Sequence, residues 1–456
     1  MRKNEITSLD NLKKIHFIGI GGSGMFPLAY VLHLQGFKIT GSDTYESDTL
    51  KKVKDLKIPV FSAHSKNNIS DQDLVVFSAA IKEENPEIQE AMKKGIPIIE
   101  RSYLLGIIFK KYSNSIGVSG THGKTTTTAM ISSILIDAKL DPTCIIGGTL
   151  PKIKSNSCAG KSDIIVAEAC EYVDSFLHLT PKISVITNVD EDHLDYFKTF
   201  ENVKNSFKKY ARQTRELLVV NGDNLPAREC VQDTKVNKIF FGLENKNNFY
   251  ALNISFSKNQ CAQFDIMSEN KKISSISLKV PGMHNVYNAL AAFCTCLSLG
   301  INTETIKSSL ENFSGVHRRF EIITSKNGIT VADDFAHHPT EIKTTLESAS
   351  KMGYKKVWAI FQPHTYSRTS ILLDDFAKSL SIAQKVIVSD ILPVREKNTY
   401  NIHATDLTAK IPQSVHIPTF EEICDYVVKH AEAGDLIITL GGGNVYKCAN
   451  MIAEKI

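Results

Sequence analysis

The chain has little net charge. Among 456 residues, 53 lysines and arginines stand against 49 aspartates and glutamates, leaving +4. A protein that works on nucleic acid or on an anionic membrane surface ordinarily carries a strong basic excess, so neither partner is expected. Long apolar runs are also missing: nothing reaches the roughly 18 consecutive residues of a membrane-spanning helix, so no membrane insertion is expected. The start, MRKNEITSLDNLKK, is polar, and the short apolar run behind it breaks into glycines, which does not read as a secretory signal. Paired cysteine spacing is absent too. The nine cysteines are scattered, no CxxC occurs, and Cys294 and Cys296 sit as CxC in an apolar helical pattern. That usage fits reduced thiols packed as small hydrophobes in the cytoplasm. There is no short-period repeat and no low-complexity linker.

What is present is the composition of a soluble globular protein, 42% hydrophobic and 22% charged. The length suits roughly two to four domains. Three cycles of buried strand, glycine-rich or polar loop and apolar helix follow one another, the pattern of βαβ units on parallel sheets. The first runs through residues 1–112 and ends at the polar joint KKYSNS. The second covers 113–316 and includes short alternating runs between about 236 and 280 that suggest a small antiparallel sheet. The third covers 317–456. The expected fold class is α/β with three domains: a Rossmann-like N-terminal domain, a central P-loop α/β domain and a C-terminal Rossmann-like domain.

Each cycle opens on a loop with chemistry. In the first, Gly19, Gly21 and Gly24 satisfy GxGxxG between a strand and a helix, and Asp43 ends the second strand. Such a turn lets backbone N–H groups and a helix N-terminus approach a diphosphate. On the motif alone NAD is the favoured ligand, a nucleotide-sugar diphosphate would serve as well, and a glycine turn kept for tight packing remains open. In the second, GTHGKTT places Gly120, Thr121, His122, Gly123, Lys124, Thr125 and Thr126 between a strand and a helix. The usual GxxxxGK[ST] pattern would want glycine at Val118. The glycines that curl the loop, the lysine for terminal phosphates and the Thr125 hydroxyl for Mg²⁺ are all present without it. Beyond two further strands lie Glu168 and Glu171, then Asn188, Asp190, Asp192, His193 and Asp195. Parallel sheets gather ligands at such strand ends, and carboxylate with imidazole suits Mg²⁺ on ATP phosphates. No cysteine accompanies the histidine, which argues against zinc. A solvated, helix-capping acidic loop is the bland alternative.

Taken in order, GIGGSGM at 19–25, GTHGKTTT at 120–127, EACEYVDSF at 168–176, TNVDEDHLDYF at 187–197, GMHNVYNALAA at 282–292, RRFE at 318–321, DDFAHHPTE at 333–341 and FQPHTYSRT at 361–369 resemble the Mur ligases over nearly the whole chain. The likeness is strongest to the branch that attaches L-alanine to UDP-N-acetylmuramate, and it reverses the preference for NAD. It implies an ATP-dependent ligase of peptidoglycan precursor synthesis with ATP and Mg²⁺ as cofactors, acting as a monomer or weak homodimer. The N-terminal domain would hold the nucleotide sugar through Gly19, Gly21, Gly22, Ser23, Gly24, Met25, Asp43, His64, Ser78 and Ala79. Lys124 and Thr125 would meet ATP phosphate and metal, with Glu168 and His193 as further metal ligands. His284, Asn285 and Asn288 would meet adenine, and Arg318 or Arg319 phosphate. Asp334, His337, His338, His364 and Arg368 would surround the phosphate and the incoming alanine, with His338 or Asp334 as a base. Several Mur ligases carry a carbamylated lysine past the metal histidine; the corresponding position here reads Phe207, between Lys204 and Lys208. A sibling ligase that adds a recycled tripeptide is the near alternative, and an NAD-dependent oxidoreductase, which would leave the lysine loop unused, is the distant one.

Overall fold

The computed structural model describes residues 6–78, 81–394 and 396–456. Ala79 therefore lies outside the described residues. Three sheets organise the chain. The first contains β1 (Lys14–Ile18), β2 (Lys38–Ser42), β3 (Val60–Phe61), β4 (Leu74–Phe77) and β5 (Ile98–Glu100), in the order β3-β2-β1-β4-β5 with every neighbour parallel. Its central strands are apolar on both faces because helices cover both, as parallel sheets require. The chain leaves β1 toward β2 and returns to β4 on the other side, so a crevice forms at the C-terminal ends of β1 and β4. The glycine turn after β1 lies there, and Pro27 opens the helix behind it, Phe26–Leu34.

The second sheet has ten strands. They are β6 (Asn114–Ser119), β7 (Thr143–Leu150), β8 (Ser155–Cys158), β9 (Ile164–Glu168), β10 (Ile183–Ile186), β11 (Leu217–Asn221), β12 (Asn237–Gly242), β13 (Phe249–Phe256), β14 (Cys261–Ser268) and β15 (Lys271–Pro281). The order β15-β14-β13-β12-β11-β10-β6-β9-β7-β8 puts β6 between β9 and β10, both parallel to it. The loops after these three strands are therefore neighbours, although hydrogen bonds between the β6 loop and the other two span 43 and 69 residues of sequence. The short alternating strands continue this sheet at its far edge. Val118, where the phosphate-loop pattern wanted glycine, is a fully buried residue of β6.

The third sheet is built from β16 (Glu321–Lys326), β17 (Ile329–Asp334), β18 (Val357–Phe361), β19 (Lys385–Val388), β20 (Ser414–His416) and β21 (Leu436–Leu440), in the order β16-β17-β21-β18-β19-β20. Only the edge strand β16 runs antiparallel to its neighbour. The chain forms two compact units. One holds residues up to 252 with 265–276 and 287–310; the other holds 253–264, 277–286 and 311–456. No helix among the described residues is long and apolar enough to cross a membrane.

The core of the first unit includes an aromatic knot. Phe176 stacks on Tyr210 at 4.6 Å between ring centroids and meets Phe207 edge-on at 5.2 Å. All three are buried to within 1%. Truncating Phe207 to alanine should lower unfolding free energy by about 3–5 kcal/mol, through lost transfer energy and an unfilled cavity. Urea denaturation of the variant beside the parent would show it.

Candidate active site

The glycine–lysine loop is clamped from the β10 side. Thr121 N–H donates to the Asn188 carbonyl at 3.1 Å, and Asp190 N–H to the Thr121 hydroxyl at 2.9 Å. His122 N–H donates to Asn188 Oδ1 at 2.9 Å, while the Thr187 hydroxyl and Asn188 Nδ2 donate to the His122 carbonyl at 2.6 and 3.0 Å. Gly120 has φ +137°, and a Cβ on it would lie 2.0 Å from Thr187 Oγ1. Gly123 has φ +84°, and a Cβ there would lie 2.5 Å from Asn288 Oδ1. Only glycine meets both conditions at these positions. Asn288 also accepts a hydrogen bond from Thr127 at 3.2 Å, so the helix Met283–Ser298 backs the loop at this residue.

Lys124 begins the helix Lys124–Asp137. Its ammonium donates to the carbonyls of Gly120 at 2.6 Å and Thr121 at 3.0 Å and to Glu171 Oε1 at 3.0 Å. Burial alone would favour the neutral amine, but the charges of Glu171, Cys170 and Glu168 and the bond to Glu171 outweigh it and hold the pKa above its ordinary value. A phosphate oxygen arriving here would compete with acceptors the protein itself provides. Thr125 donates to Glu168 Oε2 at 2.8 Å, and Gly147 N–H donates to the same oxygen at 3.0 Å.

Glu171, Asp192 and His193 form a group whose possible ligand atoms lie within 4.8 Å of one another. Glu171 Oε2 is buried without a hydrogen-bond partner. His193 takes a left-handed backbone at φ 54° and packs on Tyr172 at 4.6 Å. The structure thus groups His193 with Glu171 and Asp192, while Glu168 is engaged by Thr125 and Gly147. Thr126 is partly exposed on the first turn of the helix. Neither lysine beside Phe207 joins this group: Lys204 pairs with Glu201 at 2.8 Å and Glu229 at 3.4 Å, and Lys208 with Glu201 at 3.6 Å.

At the first sheet, Asp43 Oδ2 accepts the Gly21 N–H at 2.9 Å, and Oδ1 accepts that of Tyr45 at 3.0 Å, so this acid braces the glycine turn. Ser78, at the end of β4, has its hydroxyl 3.9 Å from where a Cβ on Gly19 would sit. Gly22 and Ser23 are exposed, Gly24 partly so, and Met25 is buried. Arg101, which no motif signalled, lies 3.2 Å from the Cβ position of Gly24. His64 uses Nδ1 to donate to Glu87 at 2.9 Å. Glu87 is fully buried and also accepts from Ser42 at 2.7 Å and Asn68 at 2.6 Å, with His16 at 3.3 Å. Burial would raise its pKa, but these partners lower it overall, so it stays a carboxylate.

The second unit carries a separate cluster. Asp334, at the end of β17, accepts the Phe320 N–H and the Ala336 N–H, both at 2.7 Å. Burial pushes its pKa up to about 6 despite Arg319 and these two bonds. Arg318 is held by the protein: it donates to Asp333 at 2.9 Å and to the Gly443 and Gly441 carbonyls at 2.8 and 2.6 Å, between the rings of Phe335 and Tyr446. Arg319 makes a 4.0 Å ion pair with Glu341 and lies over the Phe335 ring. His337 Nδ1 donates to the Phe335 carbonyl at 3.0 Å, and its ring lies 6.2 Å from that of His364. Burial, with the positive charges of Arg368 and Arg319, lowers the His337 pKa against Glu341 and the Phe335 carbonyl; burial, His337 and Arg368 lower that of His364 to about 4. His338 caps the helix Pro339–Ser350 through Thr340 N–H. The adenine candidates divide: Asn285 is buried and donates to the Pro281 carbonyl at 2.7 Å, whereas His284 is exposed.

A glycine–lysine loop at the centre of a parallel sheet, with carboxylates and a histidine on the flanking strand ends, defines an α/β protein of the phosphate-loop kind. Three family models match successive stretches: "Mur ligase family, catalytic domain" over residues 14–113, "Mur ligase middle domain" over 118–296 and "Mur ligase, glutamate ligase domain" over 318–443. A UDP-N-acetylmuramate–L-alanine ligase of Acetivibrio thermocellus is 46% identical over 100% of this chain and 98% of its own length. One of Alkaliphilus metalliredigens is 46% identical over 97% and 98%. The chain belongs to the Mur ligase family. Among solved structures, the UDP-N-acetylmuramate–alanine ligase of Thermotoga maritima superposes with a TM-score of 0.84 at 29% identity, covering 97% of this chain and 98% of that one. A murein peptide ligase of Psychrobacter arcticus follows at 0.76 and 25%, with the same coverage.

Two outcomes test this geometry. Gly120→Ala should destabilise the first unit far more than Gly300→Ala, because both positions have positive φ but only Gly120 meets an atom, and thermal melts compare them directly. Asp334 has a raised folded pKa, so its ionisation costs stability above about pH 6 and the cost disappears as pH falls toward the unfolded value. Relative to Asp334→Asn, which has no such titration, the parent should gain stability as pH drops from about 6 to 4. Urea curves at several pH values measure that slope, and a flat difference would contradict it.

Proposed function

We propose that this chain joins L-alanine to the lactyl carboxylate of UDP-N-acetylmuramate at the expense of ATP, in the cytoplasm. The full-length identity to relatives named for that reaction carries the reading. A carboxylate does not react with an amine at neutral pH, because oxide would have to leave. Transfer of the outermost ATP phosphate to the acid makes an acyl phosphate, the alanine amine attacks its carbonyl carbon, and phosphate departs.

In this reading residues 1–112 hold the nucleotide sugar, 113–316 the ATP and 317–456 the amino acid. The turn at Gly19–Gly24, braced by Asp43, presents backbone N–H groups to the diphosphate, with Ser78 and His64 beside it. Gly120–Thr126 cradle the ATP phosphates, and Lys124 exchanges its internal acceptors for phosphate oxygens. Mg²⁺ fits the residues present, since hard oxygens and an imidazole converge and one buried oxygen of Glu171 lacks a partner. Glu171, Asp192 and His193 would hold it, with Glu168 and Thr125 as the adjoining oxygen pair; bound, it neutralises phosphate charge. Arg319, whose one ion pair with Glu341 is long, would meet phosphate more readily than Arg318, which is held by Asp333 and two carbonyls. Both Asp334 oxygens accept backbone N–H groups, so Asp334 positions the loops around it. His337, whose Nδ1–H is committed to a carbonyl and whose pKa is lowered, offers Nε2 as the proton acceptor for the alanine amine.

Phosphate release with UDP-N-acetylmuramate should be fastest with L-alanine when glycine, L-serine and a tripeptide are compared. A preference for the tripeptide would move the chain to the murein peptide ligase reaction. Lys124→Ala should cut release by at least about 100-fold while leaving nucleotide-sugar affinity within a few-fold, because a lost transition-state cation costs about that much. Excess EDTA should stop the parent enzyme; amide formation in its presence would remove the metal roles.

A further inference from the structure

Cys144 and Cys158 lie 14 residues apart and share no sequence motif, yet they are directly opposite one another on the antiparallel pair β7 and β8. The Cys158 thiol donates to the Pro142 carbonyl at 3.4 Å. Cys144 is fully buried, while Cys158 is partly exposed and lines a cavity of about 370 Å³ with Lys139, Asp141 and Pro142. The hairpin that carries them reaches two loops already described. From β7, Gly147 N–H donates to Glu168 Oε2, the oxygen that also accepts the Thr125 hydroxyl. From β8, Asn156 Nδ2 donates to the Ser23 carbonyl in the glycine turn at 3.2 Å.

We propose that Cys144 and Cys158 are a reversible oxidation site, in which a peroxide converts the dithiol to a disulfide and the altered hairpin lowers ligase activity. Cys158, the accessible member, attacks one peroxide oxygen as thiolate; the O–O bond breaks, the other oxygen leaves as water, and a sulfenic acid forms. Cys144 then attacks that sulfur, an S–S bond forms, and the sulfenic oxygen leaves as a second water. Two thiols lose two electrons and one peroxide gains them. The neighbouring Cys144 holds the Cys158 thiol below its ordinary pKa, whereas burial raises that of Cys144 and keeps it protonated until the second step. Opposed strand residues have Cβ atoms about 4.5–5.5 Å apart and a disulfide wants roughly 3.8 Å, so closing the bond draws the strands together and shifts Gly147 and Asn156.

The activity part of this inference rests on the ligase reading; the bond itself does not. Native enzyme is treated with hydrogen peroxide, digested without reduction and analysed by mass spectrometry, with phosphate release measured in parallel. The expected result is a Cys144–Cys158 linkage and at least about a tenfold loss of rate, since misplacing a positioning element by ~1 Å costs up to about 100-fold. Dithiothreitol should restore the rate, and Cys158→Ser and Cys158→Ala should keep theirs under the same treatment. Absence of the linkage in treated parent enzyme overturns the site. A linkage with unchanged rate, or equal inactivation of both Cys158 variants, overturns its effect on activity. A failure of the untreated enzyme to release phosphate would refute the ligase reading and leave the mass-spectrometric result standing.

Discussion

Gly120 and Thr187 approach so closely that a single methyl on Gly120 would overlap the threonine hydroxyl. That contact joins the loop after β6 to the loop after β10, and much of the middle domain's chemistry follows from it. The hydrogen bonds of Thr187, Asn188 and Asp190 set the path of Gly120–Gly123, and the path sets where Lys124 leaves the backbone. The lysine then meets Glu171, the acid that also stands with Asp192 and His193. An ammonium group and a cluster of two carboxylates and an imidazole are thus held by one frame. Such preorganisation means little of the surroundings must rearrange when charge develops.

Carboxylates, buried at Glu87 and Asp334 and half-buried at Asp43, recur as braces at the first and third sheets. Asp43 and Glu87 secure the glycine turn and the strand end beside it, and Asp334 ties the segment before β16 to the loop that carries His337. A buried acid is costly unless donors surround it, and each of these accepts two or more. The same logic separates the two adjacent arginines. Arg318 spends three of its N–H groups on an aspartate and two carbonyls, while Arg319 pairs with Glu341 at 4.0 Å.

The hairpin of β7 and β8 has a different standing. It contributes no loop motif, but it touches Glu168 on one side and the Ser23 carbonyl on the other. It therefore ties the strand end of β9 to the glycine turn after β1.

The three αβ cycles, the α/β class and the loops at Gly19 and Gly120 were legible in the amino-acid order, because local period, glycine placement and strand-to-helix transitions are properties of neighbouring residues. Membership of the Mur ligase family was legible for the same reason, since its motifs are short and occur in order. The grouping of Glu171 with Asp192 and His193, the bracing roles of Asp43 and Asp334, and Arg101 beside Gly24 were not. Nor was the pairing of Cys144 with Cys158. Each joins residues whose distance depends on strand order and register. Order and register are decided when the sheets pack, because a one-residue slip in a strand reverses every side chain it presents.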